Sequence, residues 1–188
     1  AVTTVDYLVW VEDDYVGANE MNGSELTTAD ADGNVYTGSN STETGTRDMM
    51  LTKFARDGTL VWRYYYPHIS GAPATGADYS HRFSDLKCDS VGNVYGTCYD
   101  DDTRLQTLIK FSPNGDIIWQ RTFDSGAGVN IAMLFGSITV DANDNPIIYY
   151  ASRLAATVAS GATSTSYRAA YIAKCSYDGA LIWERGFG

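Results

Sequence analysis

Apolar residues in this chain come in short bursts rich in β-branched and aromatic side chains, and each burst is cut off by a cluster of Asp, Asn and Gly. No stretch carries a helical period, so the punctuation predicts an all-β chain of short strands. Leu51, Phe54, Leu60, Val61 and Trp62 place apolar groups on both sides of a pleat, where a sheet wetted on one face would alternate. Sheets of this kind are covered on both faces. In the middle of the chain, strands are expected near 84–89, 93–99, 105–112 and 115–123. The turns between them hold Gly92-Asn93 and Asn114-Gly115, the second suited to a type I′ hairpin. Four antiparallel strands in a meander result.

The pattern recurs three times. Its first half is Asp30-Ala31-Asp32-Gly33-Asn34-Val35-Tyr36, then Asp89-Ser90-Val91-Gly92-Asn93-Val94-Tyr95, then the looser Asp141-Ala142-Asn143-Asp144-Asn145-Pro146-Ile147. Its second half runs from Leu51-Thr52-Lys53-Phe54, Leu108-Ile109-Lys110-Phe111 and Ile172-Ala173-Lys174-Cys175 to a turn ending in Trp62, Trp119 or Trp183. These tryptophans lie 57 and 64 residues apart. A repeat of about 60 residues with a terminal Trp favours radially packed β-propeller blades over a sandwich or barrel. The repeated Trp is then expected between blades, where it buries about 150 Å² or more.

The phrase Asp-x-x-Gly-Asn-Val-Tyr, an apolar strand ending in Lys plus an apolar residue, and Asp-Gly-x-Leu-x-Trp resembles the bacterial seven-bladed propeller repeats called SBBP repeats, over residues 24–188. The second half-phrase is also similar to quinoprotein-type propeller repeats. The third repeat departs, with Asp144-Asn145-Pro146 in place of Gly-Asn-Val and an insertion at Ala155–Tyr167. Neither resemblance implies a catalytic residue within the repeat.

The expected organisation is an outer strand of a preceding or closing blade at 1–11, carried by Asp6–Trp10, followed by blades at 12–66, 67–124 and 125–188. Three blades of four strands and one more make thirteen, whereas propellers close with about four to eight blades. The expectation is therefore a segment of a larger or multi-chain propeller, its edges covered by further blades or a protein partner. A longer natural chain is the preferred explanation, since two copies would bring about twenty-six strands where six blades need twenty-four.

Lys and Arg total 13 against 23 Asp and Glu, a net charge of -10, and no basic patch interrupts it. Nucleic-acid backbones and anionic membrane surfaces are disfavoured as partners. No apolar run reaches the roughly 18 residues of a spanning helix, so membrane insertion by a helix is not expected. Cys88 and Cys175 stand where other repeats have small or apolar core residues, and three cysteines suggest no disulfide framework. The compartment is left open, with an extracellular or virion assembly as the preferred setting.

In a four-stranded blade the short Gly-containing turns share one face, and the long connections share the other. Those long connections are Glu12–Ser24, Ser39–Asp48, Pro67–Arg82, Tyr99–Gln106, Asp124–Asn130 and Ser152–Tyr167. Long loops on a rigid scaffold are where binding residues concentrate. The binding candidates on this face are Asp13, Asp14, Tyr15, His68, Tyr79, His81, Asp100, Asp101 and Asp102, alongside Glu12. Asp100-Asp101-Asp102 is the candidate for Ca²⁺, the one ion considered in a chain otherwise expected to carry no cofactor. Asp30-x-Asp32-x-Asn34 begins like a calcium loop but lacks its glycine and bidentate Glu, and reads as a hairpin turn. His68 and His81 have no ligand partners at zinc spacing. Ser80, His81 and Asp78 are sequence neighbours and do not form a triad. Ser176-Tyr177-Asp178-Gly179 is similar to the sialidase Asp-box but lacks one residue of it, and reads as a turn.

The expected function is a non-catalytic propeller module that presents its long-loop face to a protein or glycan. The alternatives are a carbohydrate-active enzyme using carboxylates such as Asp13 and Asp101, a lectin stacking sugars on Tyr15 or Tyr79, or a fragment of a quinoprotein-like dehydrogenase.

Overall fold

The computed structural model describes residues 26–41, 48–66, 82–99, 106–123, 134–155 and 166–187. These residues form twelve strands and, among them, no helix. In chain order the strands are β1 (Leu26–Ala29), β2 (Val35–Ser41), β3 (Asp48–Phe54), β4 (Leu60–Tyr66), β5 (Arg82–Cys88), β6 (Val94–Tyr99), β7 (Gln106–Phe111), β8 (Ile117–Phe123), β9 (Leu134–Val140), β10 (Pro146–Ala155), β11 (Ser166–Cys175) and β12 (Leu181–Phe187). They pair into three four-stranded sheets, β1-β2-β3-β4, β5-β6-β7-β8 and β9-β10-β11-β12, each an antiparallel meander. The middle-repeat strands expected from sequence match β5 to β8 closely. The stretch Asp6–Trp10 lies outside the described residues.

The three sheets stand side by side as blades. β5 packs against β1 on one side and β9 on the other. The first strands thus form the inner line of the array. One apolar cluster joins blade 1 to blade 2: Tyr36, Met49 and Leu51 meet Phe83, Leu86, Val94, Cys98, Ile109 and Phe111. A second joins blade 2 to blade 3: Tyr95, Leu108 and Phe123 meet Ile138, Ile148, Tyr150, Ala173 and Cys175. The middle blade is therefore covered on both faces, which is why all of β7 is buried. Apolar residues on both sides of the pleat are the sequence signature of that double burial.

Each blade has two short turns at one end. At Ala29–Val35, Cys88–Val94 and Val140–Pro146 the leading Asp takes the following backbone amides onto its carboxylate, and the fourth residue of the phrase adopts a positive φ. Gly33 and Gly92 fill that position with φ of 83 and 84°; Asp144 fills it in the third repeat with φ of 59°. Asp is one of the few residues with a side chain that tolerates this region. The looser third phrase thus makes the same turn.

The second turns correct the type I′ expectation for Asn114-Gly115. Gly115 has φ of 90°, but Asn114 is not among the residues of positive φ, so only one of the two angles that type I′ requires is present. Gly115 N–H donates to Ser112 O and Ser112 N–H to Asp116 O, making a turn closed by a left-handed glycine. The register slips by one residue beside it, between Lys110 and Phe111, and likewise between Lys53 and Phe54 and between Lys174 and Cys175. The Ser112 hydroxyl accepts from the Asn114 and Asp116 amides, adding to a turn that Ala55–Thr59 makes without one. A glycine bulge after a type I turn is the common alternative to a two-residue hairpin.

Two loop boundaries also move. The β10–β11 ladder continues to Ala155 opposite Ser166, so the connection that sequence starts at Ser152 is paired strand for its first residues. Likewise β2 and β3 pair out to Ser41 opposite Asp48.

Candidate interface between blades

The described residues do not include the long-loop candidates. Asp13, Asp14, Tyr15, His68, Tyr79, His81, Asp100, Asp101 and Asp102, with Glu12, all lie outside them, as do most of the long connections. The polar chemistry that the described residues do assemble lies at the short-turn end, where one blade meets the next.

It starts inside each turn. Asp30 accepts the amides of Asp32 and Asn34 at 3.1 and 2.9 Å and the Asn34 side-chain amide at 2.8 Å. Asp89 does the same with Val91 and Asn93, and Asp141 with Asn143 and Asn145. The calcium-like spacing at Asp30 is therefore a hairpin turn, as read from sequence: its oxygens hold N–H groups. Burial raises the Asp30 carboxyl, but the Asn34 and Tyr36 hydrogen bonds outweigh it and hold the group below the usual carboxylate range. Asp141 lies well below that range because the Lys174 ammonium, 2.6 Å away, and the Asn145 amide favour its charged form.

From these turns, side chains reach across to the next blade, and they do so twice in the same way. Lys53 Nζ and Trp62 Nε1 both donate to the carbonyl of Pro113, at 3.2 and 3.1 Å. One blade further on, Lys110 Nζ and Trp119 Nε1 both donate to the carbonyl of Tyr177, at 3.3 and 2.9 Å. The register places Lys53 opposite Trp62 and Lys110 opposite Trp119, so each pair projects from one face toward one acceptor. Two residues beyond each acceptor a left-handed glycine is covered, Gly115 chiefly by the Tyr64 ring and Gly179 by the Trp119 indole. A Cβ on Gly179 would stand 2.8 Å from the Trp119 ring, so the close approach requires glycine there.

Further bonds tighten each junction. Tyr36 Oη shares its one proton between Asp30 Oδ2 and Gly92 O, both at 3.3 Å, and Tyr95 Oη donates to Asp144 O at 2.8 Å. Burial pushes both phenols upward, so they remain donors across the ordinary pH range. Tyr66 Oη donates to Gly115 O at 2.5 Å, and Arg121 to Gly179 O at 3.2 Å. The Asp144 carboxylate, held low by the Ser90 hydroxyl and amide, binds back to blade 2. Asp85 accepts the Ile138 amide at 2.7 Å, fixing β9 against β5.

Lys110 is fully buried and is the most heavily engaged of these groups. Its ammonium is 3.6 Å from Asp89 Oδ2, 5.0 Å from the Tyr95 ring centre and 2.9 Å from that of Tyr177. An ion pair this deep is tolerated only when its remaining valences are met, and the turn amides and the Tyr177 carbonyl meet them.

The Trp expectation holds at both junctions. The latching lysines and tyrosines were not singled out, although the signal was present: Lys recurs at one position in all three repeats, set among apolar residues where a surface charge would be out of place. Cys98 and Cys175 are buried thiols, Cys175 as its position in the repeat led one to expect, whereas Cys88 is only half-buried, with burial pushing its thiol up to about 11. Ser176 Oγ accepts the Ala180 amide, so the Asp-box-like stretch is a turn. Among the described residues no three metal-ligating side chains gather. No protein-family model matches the chain, and no curated protein matches it.

Proposed function

We propose that this chain is a non-catalytic β-propeller module, of the kind its SBBP-like phrase resembles, which presents its long-loop face to a protein or glycan in an extracellular or virion assembly. The observation that supports this reading is where the polar groups of the repeat are spent. Asp30, Asp89 and Asp141 each bind their own turn, and Lys53, Lys110, Trp62 and Trp119 bind the neighbouring blade. The repeat thus serves rigidity, and recognition falls to the loops that the blades hold in place.

The test is to assay the full chain against a panel of oligosaccharides and on a glycan array, beside Asp13→Asn and Asp101→Asn. The proposal expects no turnover by any of the three proteins. Hydrolysis by the parent that either substitution abolishes, with the fold intact by circular dichroism, would replace the module by a carbohydrate-active enzyme.

A further inference from the structure

The Ser112–Asp116 hairpin holds a pair of residues whose chemistry the junction does not use. Asn114 is the only asparagine among the described residues that precedes a glycine. Beside glycine, the backbone nitrogen meets no side chain on its way to the asparagine side-chain carbonyl, and the two can close a ring. The other asparagines are placed against this reaction. Asn34 and Asn93 have their side-chain amides bound to Asp30 and Asp89, at 2.8 and 2.7 Å, and a branched valine follows each. Asn145 precedes Pro146, whose nitrogen carries no proton. Asn114 is exposed, and no described residue binds its side-chain amide. Where it stands, the other two hairpins have Asp57 and Asp178, again followed by glycine. A carboxylate is a poor electrophile, and the Thr59 amide holds Asp57 in that form, below the usual carboxylate range.

In the folded chain the reaction is held off. The Gly115 N–H donates to Ser112 O at 2.9 Å, which occupies the nitrogen that would attack. A type I turn also sets its third residue, here Asn114, at ψ of about 0°, which points the following nitrogen away from the side-chain carbon. Closing the ring requires that torsion to rotate, and blade 1 grips the peptides on both sides of it. Pro113 O receives Lys53 and Trp62, and Gly115 O receives Tyr66. Gly115 is buried, and the Tyr64 ring lies against it so closely that a Cβ there would collide.

We propose that Asn114 is a deamidation site gated by the junction of blades 1 and 2: opening of the junction exposes it, and its reaction keeps the junction open. Once Lys53, Trp62 and Tyr66 let go, the Gly115 nitrogen gives its proton to a base and attacks Asn114 Cγ. The N–Cγ bond forms, the Cγ–Nδ2 bond breaks, and ammonia leaves with the proton taken back. Water then opens the succinimide at either carbonyl. Opening at the side-chain carbonyl leaves aspartate, which the equivalent hairpins already hold at Asp57 and Asp178, so the turn can re-form. Opening at the main-chain carbonyl leaves isoaspartate, whose backbone runs through Cβ and is one carbon longer between the Pro113 and Gly115 carbonyls. The donors of blade 1 then no longer reach both acceptors, and the junction does not close as before. This site is independent of what the long-loop face binds.

The test follows ammonia loss at Asn114 by peptide mapping of the full chain at mildly alkaline pH, folded and in urea, beside hydrogen exchange of the Gly115 amide. Conversion should proceed in urea and be slowed in the folded chain by the factor that slows exchange. Tyr66→Phe keeps the ring and drops the bond to Gly115 O; it should raise both rates about fivefold in the folded chain and neither in urea. Tyr150→Phe, which loses its Glu184 partner in blade 3, should leave both unchanged. Asn114→Asp should melt with the parent, and chain aged to isoaspartate at this position should melt lower. No conversion in urea, conversion in the folded chain as fast as in urea, no effect of Tyr66→Phe, or an equal rise in Tyr150→Phe would overturn the gated site. Aged chain as stable as Asn114→Asp would overturn its effect on the junction.

Discussion

Trp62 and Trp119 do the same task at two junctions, and truncating either removes an indole and its hydrogen bond to the next blade, and at Trp119 also the cover over Gly179. Trp62→Ala should cost about 3 kcal/mol in urea unfolding, the low end for a tryptophan because the ring is half-buried. Lys110 offers a sharper probe, because removing it strands Asp89 in the interior. Lys110→Met should cost about 3 kcal/mol, and Asp89→Asn with Lys110→Met less than the sum of the two single changes. A Lys110→Met protein as stable as the parent would mean that the pair is not part of the junction. These roles were half legible. The Trp repeat announces an apolar contact and the recurring Lys a charge set among apolar residues, but their acceptor is a turn carbonyl of the neighbouring blade, which has no side-chain signature.

At the scale of the turn, one positive φ per hairpin is the design, and Asp144 is the only described residue other than glycine to adopt it. Asp144→Ala should cost about 1 to 2 kcal/mol, from left-handed strain together with the lost Ser90 bonds, while Asp144→Gly should recover most of the strain component. The same turns set the response to acid. Asp30, Asp141 and Asp144 are held below their ordinary range in the folded chain, so the unfolded chain takes up protons first. Their contribution is complete above about pH 4 and is lost as pH falls below it. Thermal melts should therefore decline below that point, and Asp141→Asn should flatten the decline; a decline that begins near neutrality would point to other groups. Strand positions and turn sites were legible here because Gly, Asn and Asp mark them directly. The turn type was not, since Asn-Gly suits two hairpin geometries and all three repeats make the one with a single left-handed glycine, with or without a hydroxyl at its start.

For the whole molecule, the bursts of apolar residues on both pleat faces foretold blades covered on each side; among the described residues the two apolar clusters cover both faces of the middle blade, whereas on the outer strands Val61, Ile118 and Ile182 are exposed. What sequence did not reveal is direction. Each blade gives donors to its successor, and a donor face at one end with an acceptor hairpin at the other follows only from seeing the side chains cross. The long-loop face, where the candidate binding residues lie, is outside the described residues, and the proposed function rests on the rigidity of what carries it. A compact stack should also protect its thiols: Cys98 and Cys175 should react with a thiol reagent only at the rate of unfolding. The most direct measurement is a crystal structure of the full wild-type chain, read at Trp62 and Trp119. The account predicts the Trp62 and Trp119 indoles about 3 Å from the Pro113 and Tyr177 carbonyls of the following blade. Indoles of Trp62 and Trp119 turned to solvent, or blades that do not stack in chain order, would contradict it.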